Sequence, residues 1–325
     1  MRIQLILSFV AFLCLLTACD NKGQQANKEP ETNKYQRVSP DFNADNAYNF
    51  VSKQVNFGPR VPNSQAHINC GDYLVSELKN FGAEVIEQKA VLTAYDGTQL
   101  NARNIIGSYN TDKSTRILLF AHWDSRPFAD QDNNKAKRTQ PVLGANDGAS
   151  GVAVLLEIGR VLQSKMPEVG VDIIFFDAED YGAYSETESW CLGSQYWAKN
   201  PHTPDYSAKY GILLDMVGAK NARFSKEEYS MHYAPSTVEK VWSTASRLKY
   251  GHFFPNAKGG AITDDHVPVN EVRKIPSINI IHKTEDESFF EHWHTTRDDM
   301  SNISPETMKA VGQTLLEVIY TEKGE

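Results

Sequence analysis

Four short apolar runs, 117–120, 173–176, 212–214 and 278–281, constrain this chain more than anything else in it; only Asn279 interrupts one of them. A strand with one wet face alternates apolar and polar side chains. A run without alternation therefore belongs in a sheet covered on both faces. Helical periodicity supplies the covers. Ala47, Phe50, Val51 and Val55 fall at helical spacing after Asn43, and Tyr73, Leu74 and Leu78 share one face of a segment over 64–81. Val152, Leu155, Leu156, Ile158 and Leu162 mark a strong helix over 149–163, with further helices expected over 236–248 and 305–320. Segments 85–93 and 102–109 read as a strand pair. The expected fold is α/β, a three-layer sandwich with a central mixed, mostly parallel β-sheet flanked by helices.

Nothing before Asn43 fits that pattern. Residues 1–19 read as a signal peptide: Arg2 supplies a short positive region, and the apolar run 3–16 is too short to span a bilayer comfortably. Its end, Leu16-Thr17-Ala18-Cys19, resembles a bacterial lipoprotein box, which implies lipidation at Cys19. The expected location is then extracytoplasmic, anchored by lipid to a bacterial membrane at the periplasmic face or the outer membrane. Residues 20–40, rich in Asn, Gln, Lys, Glu and Pro, read as a flexible tether, and 41–325 as a single catalytic domain. Of the four cysteines, Cys14 and Cys19 belong to the signal. Cys70 and Cys191 could pair in an oxidising compartment, but nothing in the sequence places them together, and two separate buried thiols is the plainer expectation. A net charge of −8 offers no basic stripe to neutralise phosphates, so nucleic acid is not an expected partner. The sequence does not set an oligomeric state; a monomer is the default.

Chemistry gathers where the apolar runs end. Phe120 is followed by His122 and Asp124, and Phe176 by Asp177, Glu179 and Asp180. Leu214 is followed by Asp215, and Ile281 by His282, His292 and His294. Asp147 stands in the glycine-rich stretch 144–151, just before the long helix. Singly, each has a plain structural explanation; Asp147, for example, would make a good N-cap. Together they put carboxylates and imidazoles at one edge of one sheet, an oxygen and nitrogen donor set suited to zinc with a carboxylate to spare for proton transfer.

At these residues the chain resembles a known group. Ala121-His122-Trp123-Asp124-Ser125, the 144–151 stretch, Phe176-Asp177-Ala178-Glu179-Asp180 and Leu213-Leu214-Asp215 look like the zinc aminopeptidase clan. Asp264-Asp265-His266-Val267-Pro268 and Trp293-His294-Thr295 resemble motifs of its glutaminyl cyclase branch. The resemblance runs from about Asn43 to the C-terminus. It implies one zinc per chain held by Asp147, Asp180 and His294, with Glu179 as general base and acid. Asp215 and Asp264 would form a catalytic hydrogen-bond network beside it, and Trp293 would wall the substrate pocket. Two departures stand out. Cyclases of animal origin commonly carry Glu where this chain has Asp180, and Trp190 stands in for a second pocket tryptophan only if the register of 181–191 allows it. The implied reaction closes the N-terminal Gln (weakly, Glu) of peptides or proteins into pyroglutamate and releases ammonia.

Two other readings stay open at this stage. A zinc aminopeptidase would use His122 as a second-metal ligand, with Asp147, Asp180, Asp215 and His294 completing a two-zinc set. A non-enzymatic relative would be expected to have lost ligands, and this chain retains all of them.

Overall fold

In the computed structural model, which describes residues 35–324, the four apolar runs are adjacent strands of one sheet. In chain order the strands are β1 (Glu84–Thr93), β2 (Gln99–Tyr109), β3 (Arg116–His122), β4 (Gly170–Phe176), β5 (Tyr210–Asp215) and β6 (Ser277–Ile281). Their spatial order is β1-β2-β4-β3-β5-β6. The pairs β4–β3, β3–β5 and β5–β6 are parallel, and the β1–β2 hairpin joins antiparallel through β2 and β4. Strand β2 starts at Gln99, three residues earlier than the apolar pattern suggests. The turn explains it: Asp96 accepts the Thr98 amide at 2.9 Å, and Ala94 pairs with Thr98 across the turn.

Successive side chains of a strand point to opposite faces, and here each face has its own core. Ile117, Leu119, Ala121, Ile173, Phe175, Ile212 and Leu214 enter the larger one. The helices that cover it are α1 (Ala44–Val55), α2 (Gln65–Asn80), α3 (Ala149–Ser164), α6 (Pro235–Arg247) and α8 (Pro305–Thr321). Leu118, Phe120, Ile174, Phe176 and Leu213 enter the smaller core, with Trp197 from α4 (Leu192–Lys199) and Val269 from α7 (His266–Glu271). Each buried Leu, Ile or Phe contributes roughly 2 kcal/mol, which is why these strands tolerate no polar alternation. The architecture is the expected three-layer sandwich. Three short helices escaped the sequence pattern: α4, α5 (Glu228–Tyr233) and α7. With six to eight residues each, they are too short to display a helical stripe.

The chain is already bonded to α8 at Val38 and Ser39, whose amides donate to Glu317. Cys19 and the proposed signal lie outside the described residues. Cys70 and Cys191 are both buried and unpaired. Among the described residues, no helix is long and apolar enough to cross a membrane.

Strand β3 continues through α3 to β4 on one side, while β5 lies on its other side. That reversal leaves a crevice beyond the carboxyl end of β3, where ligands bind in open α/β sheets. His122 ends β3, Asp215 ends β5, and α3 begins two residues after Asp147.

Candidate metal centre

Each acidic loop at this edge is tied down by a second carboxylate. Asp298 accepts the amides of Asn146 and Asp147 at 2.8 and 3.0 Å. Asp124 accepts those of Glu179 and Asp180, both at 3.1 Å. Gly144, at φ +61, lets the first of these loops fold back tightly, because a Cβ there would sit 2.2 Å from the Asp147 carbonyl oxygen. Ala178, Cys191, Met216 and His294 all hold left-handed φ values between 50 and 57°. Such backbone is costly for residues with a Cβ and gathers at functional sites; each of these four is, or adjoins, a residue that lines the cavity described next.

The loops meet in a cavity of about 360 Å³ lined by Asp147, Glu179, Asp180, Asp215, Asp264 and His294 on its polar side. Trp190, Trp293, Tyr184, Phe289, Ile262 and Met216 form much of the rest. Every residue expected to bind metal, substrate or protons therefore faces one space, except His122, which sits behind Asp147 and Asp215. His282 and His292 do not line it, and burial pushes His282 down to about 4. Trp123 packs against His67 with ring centroids 4.2 Å apart and donates to the Arg103 carbonyl, a structural role.

Ligand atoms of Asp147, Asp180 and His294 all lie within 4.8 Å of one another. His294 Nε2 is 3.1 Å from Asp180 Oδ1 and 3.6 Å from Asp147 Oδ2. Asp180 is 1% exposed, and neither of its carboxylate oxygens accepts a well-aligned hydrogen bond among the described residues; besides His294, the Arg126 guanidinium lies 3.6 Å from Oδ1. A buried carboxylate without donors is costly unless a cation faces it. Two carboxylates and one imidazole at this spacing fit a zinc ion, with room left for a fourth ligand.

A second trio, His122, Asp147 and Asp215, shares Asp147 with the first. Its imidazole is held in the same way as that of the first: His122 Nε2 reaches Asp147 Oδ1 at 3.0 Å and Asp215 Oδ1 at 3.3 Å.

Electrostatics follow from five carboxylates in one small space. Burial, with Asp264, Asp180 and Asp265 adding to it against His122, pushes Glu179 well above the ordinary carboxylate range. Burial and Asp215 push Asp264 up to about 7. Asp264 is fixed by the Asp265 amide and the Asn279 side chain, both at 2.6 Å. Asp215 is raised by burial and by Asp147, against the His122 hydrogen bond. Asp147 runs the other way: its burial is outweighed by His122 and His294, and its carboxyl stays below the ordinary value.

The stretch 181–191 sits in the register that brings Trp190 into the cavity wall. Its indole lies nearly parallel to the His294 ring (14°, centroids 6.1 Å apart) and beneath the Arg126 guanidinium at 4.6 Å. Gly182 makes room for it, since a Cβ there would sit 2.2 Å from the indole. Trp293 stacks on Phe289 with centroids 4.3 Å apart.

Sequence reasoning missed two supports, Arg126 and Tyr184, and gave no role to Asp124, which it had placed at the same edge. Arg126 donates to the carbonyls of Asp180 and Gly182 and pairs with Asp130 at 2.6 Å. The Tyr184 hydroxyl is 2.7 Å from His294 Nδ1. A partner on the far nitrogen of a ligating imidazole fixes its ring, and losing one typically costs 10–100-fold in metal affinity. Tyr184→Phe is therefore expected to weaken zinc binding by roughly tenfold while leaving the fold intact, as read by competition with a zinc chelator.

A model of peptidase family M28 matches residues 104–319. The chain belongs to this family. Its curated relatives include the glutaminyl-peptide cyclotransferase of Bos taurus, 24% identical, with the alignment covering 79% of this chain and 76% of that protein. Among solved structures, a glutaminyl cyclase of Bacteroides thetaiotaomicron bound to N-acetylhistamine is 53% identical, with TM-score 0.87, covering 88% of this chain and all of that one. A protein of Parabacteroides distasonis described as a Zn-dependent exopeptidase is 59% identical, with TM-score 0.86 and the same coverage. This M28 chain is thus similar both to a cyclase and to a protein described as an exopeptidase on one scaffold.

Proposed function

We propose that the chain is a glutaminyl-peptide cyclotransferase that converts the N-terminal Gln of peptides or proteins to pyroglutamate. The observation that carries this reading is the donor trio Asp147, Asp180 and His294, all three lining one aromatic-walled cavity with Glu179. Similarity to the bacterial and bovine cyclases supports it.

The α-amine of the substrate attacks its own side-chain amide carbon. A C–N bond forms, the bond to the amide nitrogen breaks, and ammonia leaves. Glu179 takes the proton from the attacking amine and returns it to the leaving nitrogen; a carboxylate raised above its ordinary range suits both halves of that task. Asp147, Asp180 and His294 would hold a zinc ion, which when bound would supply Lewis-acid polarisation of the amide carbonyl. Asp264, immobilised by Asn279, and Asp215 hold the ammonium or amine end near Glu179. Trp190 and Trp293 narrow the cavity so that a glutamine side chain enters while the peptide points outward, and this positioning makes the reaction intramolecular in effect.

The shared Asp147 favours one alternative, an aminopeptidase with a second zinc on His122 and Asp215. Incubation with a Gln-initiated dipeptide separates the two. A cyclase releases ammonia and leaves the peptide bond intact by mass spectrometry, whereas free glutamine, or cleavage of a leucyl substrate, would establish the hydrolase.

Exported proteins or peptides bearing N-terminal Gln are the proposed substrates, met outside the cytoplasm by an enzyme tethered through lipid at Cys19. A single zinc per chain and a single catalytic domain over 41–325 complete the proposal.

A further inference from the structure

Glu179 is half-buried at the cavity wall, and among the described residues its carboxylate takes part in one hydrogen bond. The donor is Cys191, whose Sγ lies 3.3 Å from Glu179 Oε1. The same residue holds the Glu179 backbone, with its amide donating to the Glu179 carbonyl at 3.0 Å, and Leu192 repeats the pairing on Ala178 at 3.1 Å. Segments 178–179 and 191–192 are thus zipped together, with the thiol as the side-chain tooth.

The conformation of Cys191 deserves the same physical reading. It sits at φ +57 as the residue before α4, where glycine or asparagine would be the low-cost choice. A cysteine there carries backbone strain in order to aim a side chain inward. The thiol is 2% exposed, and burial together with Glu179, Asp265 and Asp264 keeps it protonated. It is therefore a donor, small enough to fit and without a charge of its own to desolvate.

We propose that Cys191 is a positioning residue for the proposed base: its S–H ties Oε1 of Glu179 and leaves the other oxygen free to carry the proton. The inference rests on the role proposed for Glu179, which either member of the M28 pair of activities would share. A buried thiol acting only as filler would leave turnover per folded enzyme unchanged when replaced by alanine.

The test compares the full chain with its Cys191→Ser and Cys191→Ala variants, reading kcat, KM, bound zinc and Tm. Alanine is expected to lower kcat by about tenfold, the scale of one lost hydrogen bond to a charged group, with KM and zinc content unchanged. Serine, which restores a donor, is expected to recover most of that loss. Wild-type kcat in the alanine variant overturns the proposal, and so does a serine variant no faster than alanine. If alanine prevents folding, serine decides alone: a kcat within about threefold of wild type supports the tie, and one near a tenth overturns it. Failure of the cyclase reading looks different. The wild-type chain would then cleave a leucyl substrate without releasing ammonia from a Gln dipeptide, and the same comparison run on that substrate would still read the tie.

Discussion

Glu179→Gln is expected to lower kcat by about a thousandfold, within the range that a positioned general base supplies, while KM and bound zinc stay near wild type. Glutamine matches glutamate in shape but cannot carry a proton between the attacking amine and the leaving ammonia. The zinc trio does not include this side chain, and Asp124 holds the turn through the backbone amides of Glu179 and Asp180, which the substitution leaves in place. Steady-state kinetics on a Gln-initiated dipeptide, with metal analysis on the same preparation, reads both quantities. Near-normal turnover would remove Glu179 as the base and leave Asp264, raised to about 7 and lining the same cavity, as the next carboxylate to test. Loss of zinc alongside activity would instead make Glu179 a structural part of the centre.

How much of this was legible beforehand depended on whether a residue's job is local. Apolar runs such as 173–176 must be buried on both faces, and that requirement holds whatever surrounds them; the sheet and its two cores follow. Asp147 and Asp180 stand close to patterned elements, which puts them at one edge, but the choice of Asp147, Asp180 and His294 as ligands came from the family resemblance, since His294 lies well past β6 and well before α8. The roles of the supports could not be read. Asp124 matters because its two oxygens meet two consecutive amides 55 and 56 residues away, and Tyr184 because a loop without pattern folds over His294. Neither relation leaves a periodic trace. Trp190 lies between these cases: its residue type suggested a pocket wall, but only the fold of 182–190 over the Arg126 guanidinium fixes which way the indole faces.

Asp180 and Asp215 are placed to report how many metals the centre holds. Both are buried carboxylates at the same edge, but their partners differ. Asp180 faces His294 Nε2 at 3.1 Å and the Arg126 guanidinium at 3.6 Å, whereas Asp215 is 3.3 Å from His122 Nε2. Removing Asp180 takes away one of the three proposed zinc ligands, so Asp180→Ala is expected to reduce bound zinc from about one per chain to near zero, with turnover lost in parallel. Asp215→Ala is expected to keep that zinc, because Asp147, Asp180 and His294 all remain in place, and to lower kcat by about a hundredfold through loss of a carboxylate beside the reacting amine. Metal analysis by mass spectrometry after exhaustive dialysis reads both variants. The two-metal reading makes the opposite claim: wild type would hold about two zincs, each variant would lose about one, and aminopeptidase activity would fall with the second. A centre that keeps its zinc without Asp215 but not without Asp180 binds one metal, and a one-metal M28 site has its His122–Asp215 pair engaged in hydrogen bonding rather than ligation.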